Sequence, residues 1–225
     1  MELRYVYIFF QLIAFLFAIS IHESAHAWMA SRCGDPTARM LGRITLNPLR
    51  HIDPVGTILL PAIALFTGFP MIGWAKPTPV DPRNFKNPVR DDILTSVAGP
   101  ASNFLVVIVT VVLLGLLALS SPTAHYAVHG MARNMILDVG WITPLVLMLY
   151  QLMFINILLG IFNLIPIPPL DGSHVLRHFL PVGALRLYDQ MGIIGLMLLL
   201  FFGGRLLGAL MFPVVGFFND ILARI

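Results

Sequence analysis

Long apolar stretches dominate this sequence and, more than any other feature, limit the folds open to it. Residues 5–31, 91–119 and 142–164 are predicted to form three long helices. Residues 187–222 are predicted to form a helical hairpin, which we favour over one kinked helix. About 20 apolar residues cross a bilayer. Only 11% of the residues are charged, against about 25% in soluble domains. The chain therefore lacks the polar residues to cover a water-facing surface, and we predict an all-α polytopic membrane protein, a helical bundle.

Two shorter features interrupt this helical pattern. Residues 54–73 are apolar but broken by glycine and proline, which favours a re-entrant segment whose backbone is buried in protein. The stretches at residues 42–48 and 73–80 have strand character, so short membrane-associated β-strands are expected beside the helices. We interpret residues 1–225 as a single membrane-embedded domain.

Positive charges are concentrated in three loops. Residues 32–53, 74–92 and 166–187 hold ten of the fourteen lysines and arginines, whereas the connection between the second and third helices holds only Arg133. Because basic loops favour the cytoplasmic side, these three loops are predicted to share that side of a prokaryotic cell membrane. Basic residues are not interleaved with aromatic ones as a nucleic-acid surface requires, so nucleic acid is not an expected partner.

The run His22-Glu23-Ser24-Ala25-His26 places two histidines four residues apart on the first predicted helix. Residues with this spacing share one helical face, so His22 and His26 can both bind one zinc ion. Glu23 can accept a proton from water that the metal polarises. Ionisable groups inside a span are costly unless a partner compensates them. The motif therefore predicts a hydrolytic metal centre.

The third ligand must come from elsewhere, since a catalytic zinc usually has three protein ligands and one open position. Soluble proteases with a third histidine six residues after the motif are excluded, because that position is Arg32. Asp171 follows a proline-broken helix end, where unwound backbone at membrane depth must line a cavity or be buried. Spacing alone leaves the ligand open among His51, His125, His129, Asp171, His174 and His178.

In combination, these motifs resemble those of the site-2 proteases, a family of intramembrane zinc metalloproteases. The resemblance covers about residues 15–180, with H-E-x-x-H on the first helix and N-x-x-P-x-x-P-L-D-G at the end of a later one. Further stretches at residues 47–54, 73–77 and 98–103 also match. No PDZ or CBS sequence is present, so the chain resembles a short form of the family.

The resemblance implies that one Zn²⁺ is bound by His22, His26 and Asp171, with Glu23 as the general base. It also implies that Asn163 helps to hold the substrate or its oxyanion. The residues with supporting or substrate-binding roles would be Asn103, Gly73, Trp74, Ala75 and Lys76.

The expected activity is hydrolysis of peptide bonds within or next to transmembrane segments of membrane proteins, with the active site open to the cytoplasm. The partners are then a transmembrane substrate and membrane lipid, while the substrate's identity and the oligomeric state stay unspecified. The segment at residues 73–80 is expected to pair as an added strand with an unwound substrate.

A metal transporter and an inactive membrane scaffold are the alternatives. A transporter commonly has broken helices in corresponding positions of two halves, but the second half here has no copy of the first motif. A scaffold would be expected to have lost Glu23 or a ligand, and all are present.

Overall fold

The computed structural model describes residues 2–60, 63 and 73–225, and these residues are mostly helical. In chain order the α-helices are α1 (Glu2–Cys33), α2 (Thr37–Met40), α3 (Pro88–Ser120), α4 (Pro122–Ala132), α5 (Ile142–Leu164), α6 (Asp171–Arg177), α7 (Val182–Phe202) and α8 (Gly204–Leu222). Helices α7 and α8 meet at Gly203. Short 3₁₀ turns lie at Pro48–Arg50 and Pro82–Asn84.

Four of the described helices are long and apolar enough to cross a membrane, over Val6–Cys33, Pro88–Ser120, Ile142–Leu164 and Gly204–Leu222. In α3 both faces are apolar. Its buried face carries Val107, Val111, Leu114 and Ala118, and its exposed face carries Leu105, Ile108, Val112, Leu116 and Leu119. A helix that is apolar all round fits a membrane span. The chain is therefore a helical integral membrane protein, as its composition predicts.

The chain divides into two compact units, which we call the loop unit (residues 19–99) and the helical unit (residues 1–18 and 100–225). In the helical unit, α5 packs against α4 and α8. The core is apolar, and polar pairs connect its helices: the Asn103 amide donates to Asn156 at 2.8 Å, and the Tyr150 hydroxyl donates to Asn219 at 3.0 Å.

In the loop unit, a buried carboxylate holds the chain at the end of α1. Asp35 accepts hydrogen bonds from Thr37, from the N–H of Asp81 at 2.8 Å and from the Asn84 side chain at 2.9 Å. Burial acts to raise the pKa of Asp35, but these hydrogen bonds outweigh it and lower the pKa. Asp35 therefore fixes the 3₁₀ turn beside α1 as an ionised group.

The prediction of short β-strands is wrong, because the described residues contain no strand at residues 42–48 or 73–80. The first stretch bends and enters a 3₁₀ turn. The second is extended, but side chains bind its backbone in place of a neighbouring strand: Arg43 donates hydrogen bonds to the carbonyls of Lys76 and Pro77. Prolines within the stretch also lack the N–H that a strand ladder requires.

The predicted re-entrant segment, residues 54–73, lies largely outside the described residues. Its described beginning, Pro54–Leu59, is a π-helical stretch. The Asp53 carboxylate caps it by accepting the N–H groups of Val55 at 3.0 Å and Gly56 at 2.8 Å. The depth of this segment in the membrane therefore stays a prediction.

Candidate metal centre and active site

His22 and His26 lie one turn apart on α1, and their ring nitrogens converge. The two Nε2 atoms are 3.0 Å apart, and the ring planes meet at 83°. Both residues are buried, at 6% and 8% exposure. In a tetrahedral site with bonds of about 2.0–2.1 Å, two ligand nitrogens lie about 3.4 Å apart. The pair is therefore within a few tenths of an ångström of the spacing for one shared zinc ion.

A backbone carbonyl sets the orientation of the second histidine. The Nδ1 atom of His26 is 2.7 Å from the carbonyl oxygen of Thr95 on α3. Since a carbonyl only accepts, Nδ1 carries the proton and donates it. The Nε2 atom is then left with a lone pair, the form that binds a metal. A partner of this kind on the remote ring nitrogen is usual for metal-binding histidines.

Gly99 on α3 allows the backbone to approach both imidazole rings. A Cβ added at this residue would overlap Nε2 of His26 and lie 2.6 Å from Cε1 of His22. Only a glycine leaves room there, because real Cβ atoms do not come so close to their neighbours. The rings therefore pack on a glycine of the same unit, which limits how far either can turn.

Glu23 is held by one residue of the extended stretch at residues 73–80. Its Oε2 atom accepts the N–H of Thr78 at 2.8 Å and the hydroxyl of the same residue at 2.7 Å. The Thr78 hydroxyl also lies 3.0 Å from the carbonyl oxygen of Glu23. Two donors on one carboxylate oxygen fix its rotamer, and the second oxygen is the one available for another proton or partner.

Arg43 positions the stretch that carries Thr78. Its buried guanidinium donates to the carbonyls of Arg50, Lys76 and Pro77. Burial lowers the pKa of Arg43, and the negative charge of Glu23 opposes this shift. A planar guanidinium can bind several carbonyls in a fixed arrangement. Arg43 thus holds the backbone immediately before Thr78.

His51 is fully buried among the loops. Its Nε2 atom lies 2.8 Å from the carbonyl oxygen of Thr45 and 3.4 Å from Oγ of Ser24. Burial lowers the pKa of His51, and the positive charge of Arg43 lowers it further. The His51 carbonyl accepts the N–H of Lys76 at 2.8 Å. These contacts connect His51 to the loops rather than to the two α1 histidines.

The predicted substrate-binding residues Gly73, Trp74, Ala75 and Lys76 follow one another along the same stretch. The N–H of Trp74 lies 3.3 Å from the carbonyl of Gly56, and the Trp74 carbonyl accepts the Thr57 hydroxyl at 2.7 Å. Alternate residues thus attach the stretch to the loop unit.

Asp171 and Asn163 belong to the helical unit, on either side of the proline-rich turn. Asn163 lies in the last turn of α5 and donates to the carbonyl of Leu159 at 3.1 Å. Asp171 is the first residue of α6. A Cβ at Gly172 would overlap the carbonyl of Leu164, so the turn folds the start of α6 back onto the end of α5.

The other predicted residues lie in the helical unit as well. Asn103 is fully buried and bonded to Asn156. His174 and His178 lie half-buried in and just after α6. His125 and His129 stack on α4, with ring centroids 4.1 Å apart.

Sequence reasoning assigned no individual role to three residues of this site: Thr78, Thr95 and Gly99. Thr95 contributes a main-chain carbonyl, which leaves no signal in side-chain identity. Thr78 lies between two prolines of a stretch whose contacts depend on tertiary structure. Gly99 precedes Pro100 within an apolar helix, and a glycine in a helix interior is a signal of close packing.

The sequence is similar to those of known proteins over most of its length. The sequence model of Peptidase family M50 matches residues 10–202. YwhC of Bacillus subtilis (strain 168), named as a zinc metalloprotease, is 37% identical over 171 residues, which are 76% of this chain and 69% of that protein. Rip2 of Mycolicibacterium smegmatis, named likewise, is 34% identical over 180 residues, 78% of this chain and 59% of that protein. No solved structure matches.

Proposed function

The chain belongs to peptidase family M50, the site-2 proteases, and from this membership we propose that it hydrolyses peptide bonds within or next to transmembrane segments of other membrane proteins. Members of this family are zinc-dependent metalloproteases, and the helices of this chain make it an integral membrane protein. The observation that carries the proposal is the 3.0 Å separation of the two Nε2 atoms of His22 and His26.

We propose that one zinc ion is bound by His22, His26 and Asp171. The convergent imidazoles supply two neutral nitrogen ligands, and a carboxylate would complete a set of three that leaves one position open. The position of Asp171 at the start of α6, just after an unwound proline-rich turn, supports its role, because such a turn can direct a side chain into a buried site. Zinc bound there would polarise water and the scissile carbonyl.

Glu23 is proposed as the general base. It follows His22 directly on α1, and its Oε2 atom is held by two donors of Thr78. Its other oxygen would take a proton from the attacking water and later give it to the leaving amine. A fixed carboxylate loses less entropy in reaching this geometry than a freely rotating one.

Asn163 is proposed to stabilise the oxyanion that forms at the scissile carbonyl. A neutral amide donor suits that role, since it adds no net charge to a buried site. Its present bond to Leu159 is within its own helix, so its amide can turn without breaking a tertiary contact. Asn103 on α3 is bonded to Asn156, and we propose that it supports α5, the helix that carries Asn156 and Asn163.

The stretch at residues 73–80 is proposed to bind an unwound substrate as an added strand. In extended backbone, successive residues direct their N–H and C=O groups to opposite sides. The groups of Trp74 and Lys76 bond within the loop unit, so we propose that those of Gly73 and Ala75 are the ones that pair with the substrate. Such pairing uses backbone hydrogen bonds and would not depend on the sequence of the substrate. Because the substrate helix must unwind first, substrates with helix-breaking residues near the cut would be preferred.

We further propose that residues 1–225 serve one proteolytic domain that opens to the cytoplasm of a prokaryotic cell. The concentration of lysine and arginine in three loops supports this orientation. Both relatives above come from bacteria.

The zinc content of purified Asp171→Ala tests the ligand assignment. We expect this variant to lose most of its zinc, whereas His174→Ala and His51→Ala should keep about one ion per chain. Cleavage of a transmembrane reporter substrate should follow the zinc content. If Asp171→Ala keeps its zinc while one of the histidine variants loses it, the carboxylate is not the third ligand.

A further inference from the structure

An open cavity lies at the end of α1, on the loop unit and apart from the two zinc-binding histidines. It has a volume of about 620 Å³ and is lined by Trp28, Ser31, Arg32, Arg39, Gly42 and Ile44. Trp28 and Arg32 belong to the last turns of the span Val6–Cys33. Since about 20 residues cross the hydrocarbon core, the end of a 28-residue span reaches the head-group region.

Two guanidinium groups give this cavity its charge. Arg32 lies over the Trp28 ring, 5.4 Å from the ring centroid, and Arg39 is exposed beside it. Neither arginine has an acidic partner among the residues that the structure describes. The exposed Arg83 and the half-buried Arg177, by contrast, pair with aspartates at 2.7 Å and 3.7 Å.

Apolar side chains line the cavity at Trp28 and Ile44 and are exposed on the chain that follows α1, and we call these side chains the apolar rim. Trp28 is 48% exposed, and the following loop exposes Met40 at 77% and Leu49 at 74%, with further exposed apolar side chains at Leu41, Ile44 and Leu46. Large apolar side chains beside unpaired arginines are typical of segments that lie in the membrane interface. Tryptophan is also enriched there, because its ring is apolar and its N–H is polar.

We propose that this cavity binds the phosphate of an anionic phospholipid head group, between Arg32 and Arg39. Arginine binds phosphate oxygens through two parallel N–H groups, and the Ser31 hydroxyl is a further donor at the same place. The exposed apolar rim would contact the glycerol and upper acyl region of the same lipid. This favours a membrane lipid over a soluble phosphate compound, which would leave the rim in water. The proposal does not depend on the proteolytic function.

Fluorescence of Trp28 provides a local test. The protein has three tryptophans, so a Trp74→Phe, Trp141→Phe background isolates this one. The full chain is placed in phosphatidylcholine vesicles that contain a small fraction of brominated phosphatidylglycerol or, in parallel, the same fraction of brominated phosphatidylcholine. Bromine quenches an indole only at short range, and we expect much stronger quenching by the anionic lipid.

The paired variants make the test specific. Arg32→Gln with Arg39→Gln should reduce the preference for phosphatidylglycerol about 25-fold, since each arginine near an anionic surface changes binding roughly fivefold. Arg83→Gln with Arg177→Gln removes the same charge elsewhere and should leave the preference unchanged. Arg32→Lys with Arg39→Lys should retain part of the preference.

Three results would overturn the proposal. The first is equal quenching by the two brominated lipids. The second is an unchanged preference when both cavity arginines are replaced. In the third, millimolar inorganic phosphate abolishes the preference at constant ionic strength, and the cavity is then a site for soluble phosphate.

Discussion

Two pairs of histidines share the same four-residue spacing but differ in geometry. On α1, the ring planes of His22 and His26 meet at 83°, with Nε2 atoms 3.0 Å apart. On α4, the rings of His125 and His129 stack, with planes at 28° and centroids 4.1 Å apart. Stacked rings direct their nitrogens along nearly parallel lines, so the second pair does not converge on one metal ion.

The surroundings of each pair account for the difference. The Thr95 carbonyl binds Nδ1 of His26, and the backbone at Gly99 packs against both α1 rings. At α4, the buried Nε2 atom of His129 has no hydrogen-bond partner in the described part of the chain. Helical spacing brings two rings to one face, but the partners that orient the rings decide whether they form a metal site.

Replacing one histidine of each pair with alanine gives the largest expected difference. His26→Ala should lose zinc and lower the cleavage rate by at least about a thousandfold, more than the 10–100-fold cost of losing an outer partner. His129→Ala should keep zinc and stay within about twofold of wild-type cleavage. Metal analysis and a reporter substrate measure both. Equal zinc loss in the two variants would show that the α1 pair is not a metal site distinct from the α4 pair.

Gly99→Ala tests whether backbone approach sets the first pair. Its methyl group would overlap the imidazoles, so we expect zinc affinity to fall by about 10–100-fold. Gly216→Ala on α8 is the control, because a Cβ there meets nothing within 4 Å. Alanine favours a helix over glycine by about 1 kcal/mol at both sites, so only the clash distinguishes them. Unchanged affinity in Gly99→Ala would mean that the rings are not held by this contact.

Thr78→Val removes the hydroxyl that binds Glu23 and keeps the N–H. Hydrogen bonds to charged groups contribute about 1.5–3 kcal/mol, and part of this is retained, so we expect kcat to fall about tenfold. Zinc content and KM should not change, and Thr78→Ser should restore most of the rate. A variant that instead loses zinc or unfolds would show that Thr78 has a purely structural role.

The smallest effect concerns pH and the second pair. Burial lowers the pKa of His129, and the nearby His125 and Arg133 lower it further. The folded chain therefore binds a proton at His129 less readily than the unfolded chain. This contribution to stability is fully present above the unfolded pKa of about 6.5 and is lost as the pH falls through the window below it.

His129→Gln should make the Tm in detergent less sensitive to acid between about pH 7 and 5. The control is His178→Gln, just after the end of α6. If the acid sensitivity of His129→Gln equals that of the wild type, the α4 pair does not titrate as described.

The helical membrane fold could be predicted from the sequence because apolar runs of span length admit few other structures. The wrongly predicted strands at residues 42–48 and 73–80 could not be excluded from the sequence. The same residue types form extended backbone whether its carbonyls bind a neighbouring strand or an arginine side chain. The motif histidines could be predicted from spacing alone. The roles of Thr95 and Gly99 could not, since a carbonyl and a missing Cβ act through tertiary contacts that side-chain patterns do not encode.

The central claim is that α1 carries two of the metal ligands and the general base of one hydrolytic site. Glu23→Gln tests it most directly, because the amide keeps the shape of the side chain but cannot accept a proton. Zinc content and cleavage of a transmembrane reporter are measured on the same purified sample. The predicted result is about one zinc ion per chain with cleavage lowered by about 10²–10⁴-fold. Cleavage near the wild-type rate, or a wild-type chain that cleaves without zinc, would contradict the claim.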